Sequence, residues 1–182
     1  MKKNLALVLS LMVFACFAET IKHDFSKKGW GTWKSKETIA KTSHDKTVGN
    51  TAPGSLKITL GPNNPLNKSV CFLSHLPIKP GKNYTASVWY KTNGTAEDIK
   101  VSMSFQGLDA KRQFLNNGVY GTKKSAAGEW TRMVYSMKVP EKKIKWDRAA
   151  FLICTLSVSN SAEGEVWFDD FEFQEDIEED EE

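Results

Sequence analysis

Short runs rich in valine, isoleucine, threonine and aromatic residues recur along this chain between clusters of glycine, proline and asparagine. No segment keeps a helical apolar period for three turns, so the pattern is typical of β-strands joined by turns. The predicted strands cover residues 55–60, 69–76, 84–92, 99–106, 130–139, 149–158 and 165–174. Strands of this number and spacing indicate a sandwich or a barrel, and we predict an all-β jelly-roll β-sandwich of two antiparallel sheets.

Alternation along two of the predicted strands shows which side chains build the core. The odd-numbered residues from 99 to 105 are apolar, whereas the even-numbered residues from 100 to 106 are polar but carry little charge. Successive side chains of a strand point to opposite faces, so one face of this strand is buried and the other is wet. The same reasoning for residues 84–92 places Tyr84, Ala86, Val88 and Tyr90 in the core and Trp89 on a polar face.

The first 18 residues are typical of an export signal. Lys2 and Lys3 give a positive start, residues 5–17 form an apolar run, and Ala18 is a small residue suited to cleavage. The run is shorter than the roughly 20 residues that a membrane-spanning helix needs. We therefore predict a signal peptide over residues 1–18 and a secreted or periplasmic protein. Lipid anchoring through Cys16 is the alternative, because the segment 13–16 resembles a bacterial lipoprotein box.

Cleavage leaves Cys71 and Cys154 as the only cysteines of the mature chain. An oxidising compartment would let them form one disulfide. Two buried thiols are the other interpretation, because Cys154 follows the apolar run Phe151-Leu152-Ile153. The sequence leaves both open.

Charge divides the mature chain into a basic body and an acidic tail. Residues 175–182 contain seven acidic residues and Ile177, and we interpret them as a disordered, solvated tail. Without that tail and the signal peptide, 23 basic and 15 acidic residues remain, so the single domain over residues 19–174 has a net charge of +8. The lysines are scattered and do not interleave with aromatic residues in a nucleic-acid motif, which argues against a nucleic-acid partner.

Four segments, taken in order, resemble the carbohydrate-binding modules of the family 4, 9 and 22 type, which share a galactose-binding-like jelly roll. They are His23-Asp24-Phe25-Ser26 with Gly29-Trp30 and Trp33, then Gly54-Ser55-Leu56-Lys57-Ile58, then residues 78–91 with Lys79-Pro80-Gly81-Lys82-Asn83-Tyr84, and finally Gly164-Glu165-Val166-Trp167-Phe168-Asp169-Asp170-Phe171. The resemblance spans almost the whole mature chain. It implies a non-catalytic module that binds a polysaccharide or oligosaccharide, in association with a separate glycoside hydrolase or with the cell envelope.

The resemblance also implies site residues. Such modules bind sugar through aromatic side chains, and the candidates here are those whose neighbours indicate loops or wet faces, supplemented by two amides: Trp30, Trp33, Trp89, Tyr120 and Trp146, with Gln106 and Asn117. The modules usually carry a structural calcium between their first and last strands. Asp169 and Asp24 are the matching ligands, and backbone carbonyls would supply the rest. The alternative is that both carboxylates only accept hydrogen bonds from nearby backbone amides.

Two other classes of protein remain as alternatives to a binding module. A cell-envelope structural or adhesion module could use the same sandwich. A small jelly-roll glycoside hydrolase would need two carboxylates across the scissile bond, and Asp170 and Glu172 form such a pair on one strand. Phe168 replaces the third acid of the strand arrangement found in one large glucanase family. No nucleophile elbow, phosphate loop or metal-ligand spacing of histidines is present, so we predict that the protein is not an enzyme.

Overall fold

A computed structural model describes residues 20–27, 29–34, 39–61, 69–93, 99–115, 120–125, 127–159 and 163–177. The predicted signal peptide with its Cys16 lies outside the described residues, and so do Asn117 and the last five residues of the acidic tail. Within the described ranges, no helix has the length and hydropathy needed to cross a bilayer.

Nearly all of the regular structure in the described residues is β. The strands are β1 (Ile21–His23), β2 (Gly31–Lys34), β3 (Lys41–Asp45), β4 (Ser55–Leu60), β5 (Ser69–Pro77), β6 (Asn83–Asn93), β7 (Lys100–Leu108), β8 (Tyr120–Ser125), β9 (Thr131–Lys138), β10 (Phe151–Ser159) and β11 (Gly164–Glu175). A short 3-10 helix, Trp146–Arg148, lies between β9 and β10.

The strands form two antiparallel sheets, as predicted for a jelly-roll sandwich. One sheet has the order β3-β4-β11-β6-β9, with β1 also paired to β11, and we call it the six-stranded sheet. The other has the order β2-β5-β10-β7-β8, and we call it the five-stranded sheet. Each central strand therefore has hydrogen-bonded neighbours far away in sequence, which is the topology of an all-β sandwich. The predicted fold class is confirmed.

The core lies between the inner faces of the two sheets. Val101 and Met103 of β7 are completely buried, and so are Ala86 and Val88 of β6 on the opposite sheet. The polar positions of β7 point away from the core, as the alternation predicts. The two sheets therefore each present one outer face to water, and these outer faces lie on opposite sides of the molecule.

The seven strands predicted from the sequence are all present, but four further strands are not visible in the sequence pattern. β1, β2 and β3 contain three to five residues and carry few apolar side chains. They form because longer neighbours offer them hydrogen-bonding partners: β1 pairs with β11, β2 with β5, and β3 with β4. β8 pairs with β7 in the same way.

Cys154 is a free thiol, completely buried in β10. Burial in apolar surroundings raises its pKa well above the ordinary value. The β5–β10 register pairs Cys154 with Leu73 and places Cys71 opposite Leu156. Of the two interpretations of the cysteines, this arrangement favours the buried thiol for Cys154.

One buried tryptophan is fixed by a carboxylate at the end of β3. Asp45 Oδ2 accepts a hydrogen bond of 3.0 Å from Trp167 Nε1, while Oδ1 accepts from the backbone N–H groups of Thr47 and Val48 at 3.0 and 3.2 Å. The Thr47 hydroxyl adds a fourth bond of 2.8 Å. Partial burial raises the pKa of Asp45, but these hydrogen bonds outweigh it and hold the pKa well below the ordinary value.

We expect Asp45→Asn to lower the free energy of unfolding at pH 7 by about 1–3 kcal/mol, because the amide replaces one acceptor oxygen with a donor facing Trp167. A carboxylate with a lowered pKa stabilises the fold above its unfolded pKa of about 3.9, and this contribution is lost as the pH falls. Urea unfolding at pH 7 and pH 3 checks the prediction. The difference in the free energy of unfolding between wild type and variant should be smaller at pH 3 than at pH 7. Asp147→Asn, at an exposed position, should not lower the free energy of unfolding by a comparable amount.

Candidate functional site

Small polar side chains of β7 and β10 lie on the outer face of the five-stranded sheet. Ser102 and Ser104 of β7 lie beside Thr155 and Ser157 of β10, because the register pairs Ser102 with Ser157 and Ser104 with Thr155. The Ser102 and Ser157 hydroxyls are 2.6 Å apart and share a hydrogen bond. Gln106 is half-buried on the same face of β7. We call these five residues the hydroxyl face.

Trp33 lies at the β2 edge of the hydroxyl face. The registers of β2 with β5 and of β5 with β10 place it in one cross-strand row with Val70 and Ser157. Its side chain is 53% exposed. It borders a cavity of about 510 Å³ that Lys34 and Lys41 also line. The Trp33 indole is therefore exposed to solvent beside the hydroxyl face.

The same cross-strand row continues to the opposite edge of the sheet. The β7–β8 register pairs Ser102 with the exposed Lys123. Neighbouring strands lie about 4.8 Å apart, so the row from Trp33 to Lys123 crosses four strand spacings, or about 19 Å. The row carries the small side chains of Ser157 and Ser102 in its middle and is long enough for an extended ligand.

A loop closes the end of the hydroxyl face beyond Gln106. Arg112 lies over the ring of Phe151 with its guanidinium carbon 5.9 Å from the ring centroid, and Phe114 is 54% exposed nearby in the same loop. Asp109 Oδ1 holds the loop by accepting hydrogen bonds from the backbone N–H groups of Lys111 and Gln113 at 2.8 and 2.9 Å. The loop therefore brings a cation and an aromatic ring to the end of the face.

Trp89 lies on the other side of the molecule. It is half-buried on the outer face of the six-stranded sheet, as the alternation of β6 predicted, and it pairs with Arg132 of β9. It lines a hollow of about 400 Å³ together with Lys22, Asp170 and Glu172. Trp33 and Trp89 are therefore on opposite outer faces, and the structure does not bring them together around one ligand.

Two of the candidate aromatic residues are in the core, which corrects the expectation that their neighbours place them on wet surfaces. Trp30 is 7% exposed and packs edge-on against Phe25, with ring centroids 5.3 Å apart. Trp146 is 1% exposed. Polar neighbours in sequence misled the prediction because loops at the ends of a sandwich turn their large apolar side chains inward. Neither indole offers a face to a ligand.

Tyr120 occupies the first position of β8, where the register pairs it with the core residue Phe105. Asn117 lies outside the described residues. Sequence reasoning missed the hydroxyl groups of β10, and it also missed Arg112 and Phe114. The alternation of β7 predicted that Ser102, Ser104 and Gln106 lie on a wet face. The sequence of β10 is mostly apolar, so it gave no sign that Thr155 and Ser157 lie on the same face.

The two predicted calcium ligands lie close enough to interact electrostatically. Asp169 is buried, and its two carboxylate oxygens accept hydrogen bonds from Asn50 N at 2.7 Å and Asp170 N at 2.8 Å. Burial, together with the nearby charges of Asp170 and Asp24, raises the pKa of Asp169 to about 6. Asp24 is exposed, and its Oδ1 accepts a hydrogen bond of 3.0 Å from Ser26 N. The chemistry of these oxygen donors fits calcium.

Both carboxylates therefore make the backbone contacts that the alternative interpretation requires. The described residues also contain no group of three or more His, Cys, Asp or Glu side chains placed to hold one metal ion. A calcium ion bound here would need backbone carbonyl oxygens to complete its six to eight ligands.

The carboxylate pair of the hydrolase alternative is engaged in structural contacts. Asp170 Oδ2 accepts a hydrogen bond of 2.8 Å from Asn50 Nδ2 and another from the Thr51 hydroxyl. Glu172 forms ion pairs with Lys22 at 2.9 Å and with Arg132 at 3.3 Å. A register shift in β11 falls between Asp169 and Glu172, so the two acids do not continue a regular strand. Both carboxylates of the predicted pair therefore already have partners among the described residues.

Comparisons with protein-family models and with curated proteins find no match to this chain. Solved structures that share its fold include carbohydrate-binding modules of families 22, 61 and 4, which confirms the resemblance seen in the sequence. The CBM22-1 xylan-binding domain from Paenibacillus barcinonensis Xyn10C aligns with a TM-score of 0.58 and 12% identity, over 87% of this chain and 95% of its own. TmCBM61, solved with β-1,4-galactotriose, aligns with a TM-score of 0.53 and 13% identity, over 84% and 91%.

One similar structure is described as enzymatically active. The active domain of tailspike protein 4 from bacteriophage CBA120 aligns with a TM-score of 0.57 and 13% identity over 81% of this chain. The present chain spans only 19% of the length of that one. At such low identities these alignments establish the fold, and the function must be argued from the site.

Proposed function

We propose that the protein binds a β-linked polysaccharide without hydrolysing it, through the hydroxyl face and Trp33. The observation that carries the proposal is a half-exposed indole on the same sheet face as a flat floor of hydroxyl and amide groups. The fold neighbours that bind xylan and β-1,4-galactotriose support it.

The chemistry of a sugar ring fits this arrangement. Its apolar C–H face stacks on a flat aromatic side chain, which supplies a large contact area at low conformational cost. Its hydroxyl groups can donate to and accept from Ser, Thr and Gln side chains, each of which offers both a donor and an acceptor. A path of about 19 Å across five strands suits several linked sugars better than one.

The same contacts support a binding role over a catalytic one. Asp170 and Glu172 lie on β11 of the six-stranded sheet, on the opposite side of the molecule from the hydroxyl face, and both are held by hydrogen bonds or ion pairs. We infer that the protein acts outside the cytoplasm, as the export signal predicts. An association with a separate glycoside hydrolase or with the cell envelope is what the resemblance to carbohydrate-binding modules implies.

Affinity electrophoresis of residues 19–182 in gels that contain single polysaccharides tests the proposal. We expect slower migration with at least one β-linked glycan and no release of reducing ends on prolonged incubation. Unchanged migration with every polysaccharide would contradict it and leave an adhesion role to be examined. Release of reducing ends that persists in Glu172→Gln would point to chemistry elsewhere on the molecule, and its loss in that variant would revive the hydrolase alternative.

We further propose that calcium binds at Asp169 and Asp24 and stabilises the fold. A divalent cation would offset the repulsion that Asp170 and Asp24 exert on the buried Asp169 carboxylate. A ligand that binds only the native state at 100 times its Kd adds about 2.7 kcal/mol, so we expect EGTA to lower Tm by about 5–10 °C without abolishing glycan binding.

Differential scanning calorimetry with EGTA and with added calcium measures this shift. Asp169→Asn should remove the response to calcium, whereas Asp45→Asn should keep it because Asp45 contacts Trp167 instead. An identical Tm of the wild type in both conditions would show that the backbone amides alone satisfy Asp169.

A further inference from the structure

Charged side chains are distributed unequally between the two outer faces. The ion pairs of the described residues join Lys22 to Glu172, Arg132 to Glu172, and Lys57 to Glu165. All of these residues belong to β1, β4, β9 or β11 of the six-stranded sheet. On that side of the molecule, cations and carboxylates neutralise one another.

The hydroxyl face has exposed cations at its β8 edge and at its closed end. Lys123 lies opposite Ser102 at the β8 edge, and Arg112 lies over Phe151. Lys34 and Lys41 line the cavity beside Trp33, but Lys34 follows Trp33 in β2 and Lys41 belongs to β3 of the six-stranded sheet, so neither side chain lies on the hydroxyl face. Within the described ranges, neither Lys123 nor Arg112 forms an ion pair. The carboxylate nearest to Arg112 in sequence, Asp109, already accepts hydrogen bonds from the backbone of its own loop.

Cations at the border of one face without carboxylate partners give that face a positive potential, in a body whose net charge is +8. Lys123 lies opposite Ser102, and Arg112 lies over Phe151, which pairs with Leu108, so six residues of β7, or about 20 Å, separate the two cations along the strands. A single small anion could not contact them both. A polymer with acid groups at intervals along its length could, because Arg and Lys both bind carboxylate and sulfate groups through charge-assisted hydrogen bonds.

We propose that the hydroxyl face binds an anionic polysaccharide, with sugar rings on Trp33 and the hydroxyl groups and with acid groups on Arg112 and Lys123. This proposal rests on the proposed function and adds the class of glycan. The acid groups could be uronate carboxylates or sulfate esters, and both present the oxygen atoms that these cations bind.

Affinity electrophoresis with matched polymers tests the charge requirement. The pairs are a uronate-bearing xylan before and after reduction of its carboxyl groups, and a sulfated galactan before and after desulfation. We expect the dissociation constant to be at least tenfold lower for one or both acidic forms, and this preference to shrink between 50 and 500 mM salt because exposed charges are screened. Whichever acidic polymer is preferred identifies the acid group.

Two double variants separate local contacts from net charge. Arg112→Gln with Lys123→Gln should weaken binding to the acidic polymer about five- to tenfold and remove most of the preference for the acidic over the neutral form. Lys91→Gln with Lys138→Gln removes the same charge from the six-stranded sheet and should keep the wild-type affinity. Melting curves of both variants confirm that they fold.

Three results would overturn the proposal. Equal, salt-insensitive retention by neutral and acidic forms would do so while the proposed glycan binding stands. No retention by any polysaccharide would remove both proposals together. Equal retention by single-stranded DNA would show a general polyanion surface in place of a glycan site.

Discussion

Replacing Trp33 by alanine is expected to weaken polysaccharide binding by about 30-fold or more. Truncating an aromatic side chain that stacks on a ligand commonly costs about 2 kcal/mol or more, and each 1.4 kcal/mol changes the dissociation constant tenfold. Trp33 is half exposed on the edge strand β2, so its removal should change the free energy of unfolding by less than about 0.5 kcal/mol. Affinity electrophoresis with the best polysaccharide and a melting curve measure the two effects.

Trp89→Ala is the matched control, because it removes the same side chain from the opposite outer face. We expect this variant to keep its affinity, although the sequence alone made Trp89 as good a ligand candidate as Trp33. Loss of binding in Trp89→Ala with normal binding in Trp33→Ala would move the site to the hollow beside Arg132 and Glu172. Normal binding in both variants would contradict a role for either indole.

The fold could be predicted from the sequence because the longest strands contain a recognisable alternation of apolar and polar residues. β7 alternates apolar and polar residues along most of its length, and the turn residues Pro80-Gly81 mark where β6 begins. β2 and β3 lack such a pattern, since their residues bury little apolar surface and their backbones depend on β5 and β4 for hydrogen bonds. A strand that forms only because a neighbouring strand offers hydrogen bonds cannot be predicted from its own residues.

The candidate site was less predictable because it depends on the register in which distant strands pair. Alternation placed Trp89 correctly on a wet face, but nothing in the sequence indicated that this face is the opposite one from Trp33. The hydroxyl face combines β7 with β10, which are separated by more than 40 residues in sequence, and only their pairing shows that Ser102 meets Ser157. The cations become a group for the same reason, since the sequence shows only scattered lysines.

Trp146 shows how a local pattern can mislead, and its replacement is the second large effect that we expect. Charged residues surround it in the sequence, which indicated a loop residue open to ligand. Lys145 takes a left-handed conformation with φ 74°, and the following 3-10 turn, closed by a 3.0 Å bond from Ala149 N to Trp146 O, carries the indole into the core. The polar neighbours remain in water while the indole is buried.

Trp146→Ala should therefore lower the free energy of unfolding by about 3–5 kcal/mol and Tm by about 10–15 °C, because it removes one of the largest buried side chains and leaves a cavity. Trp146→Phe keeps most of the volume, so it should fold with a smaller loss and bind polysaccharide like the wild type. Ile144→Ala, at an 85% exposed position in the same segment, should change neither property. If Trp146→Phe folded normally but lost its affinity, Trp146 would contact the glycan, and the division between buried and ligand-facing tryptophans would be wrong.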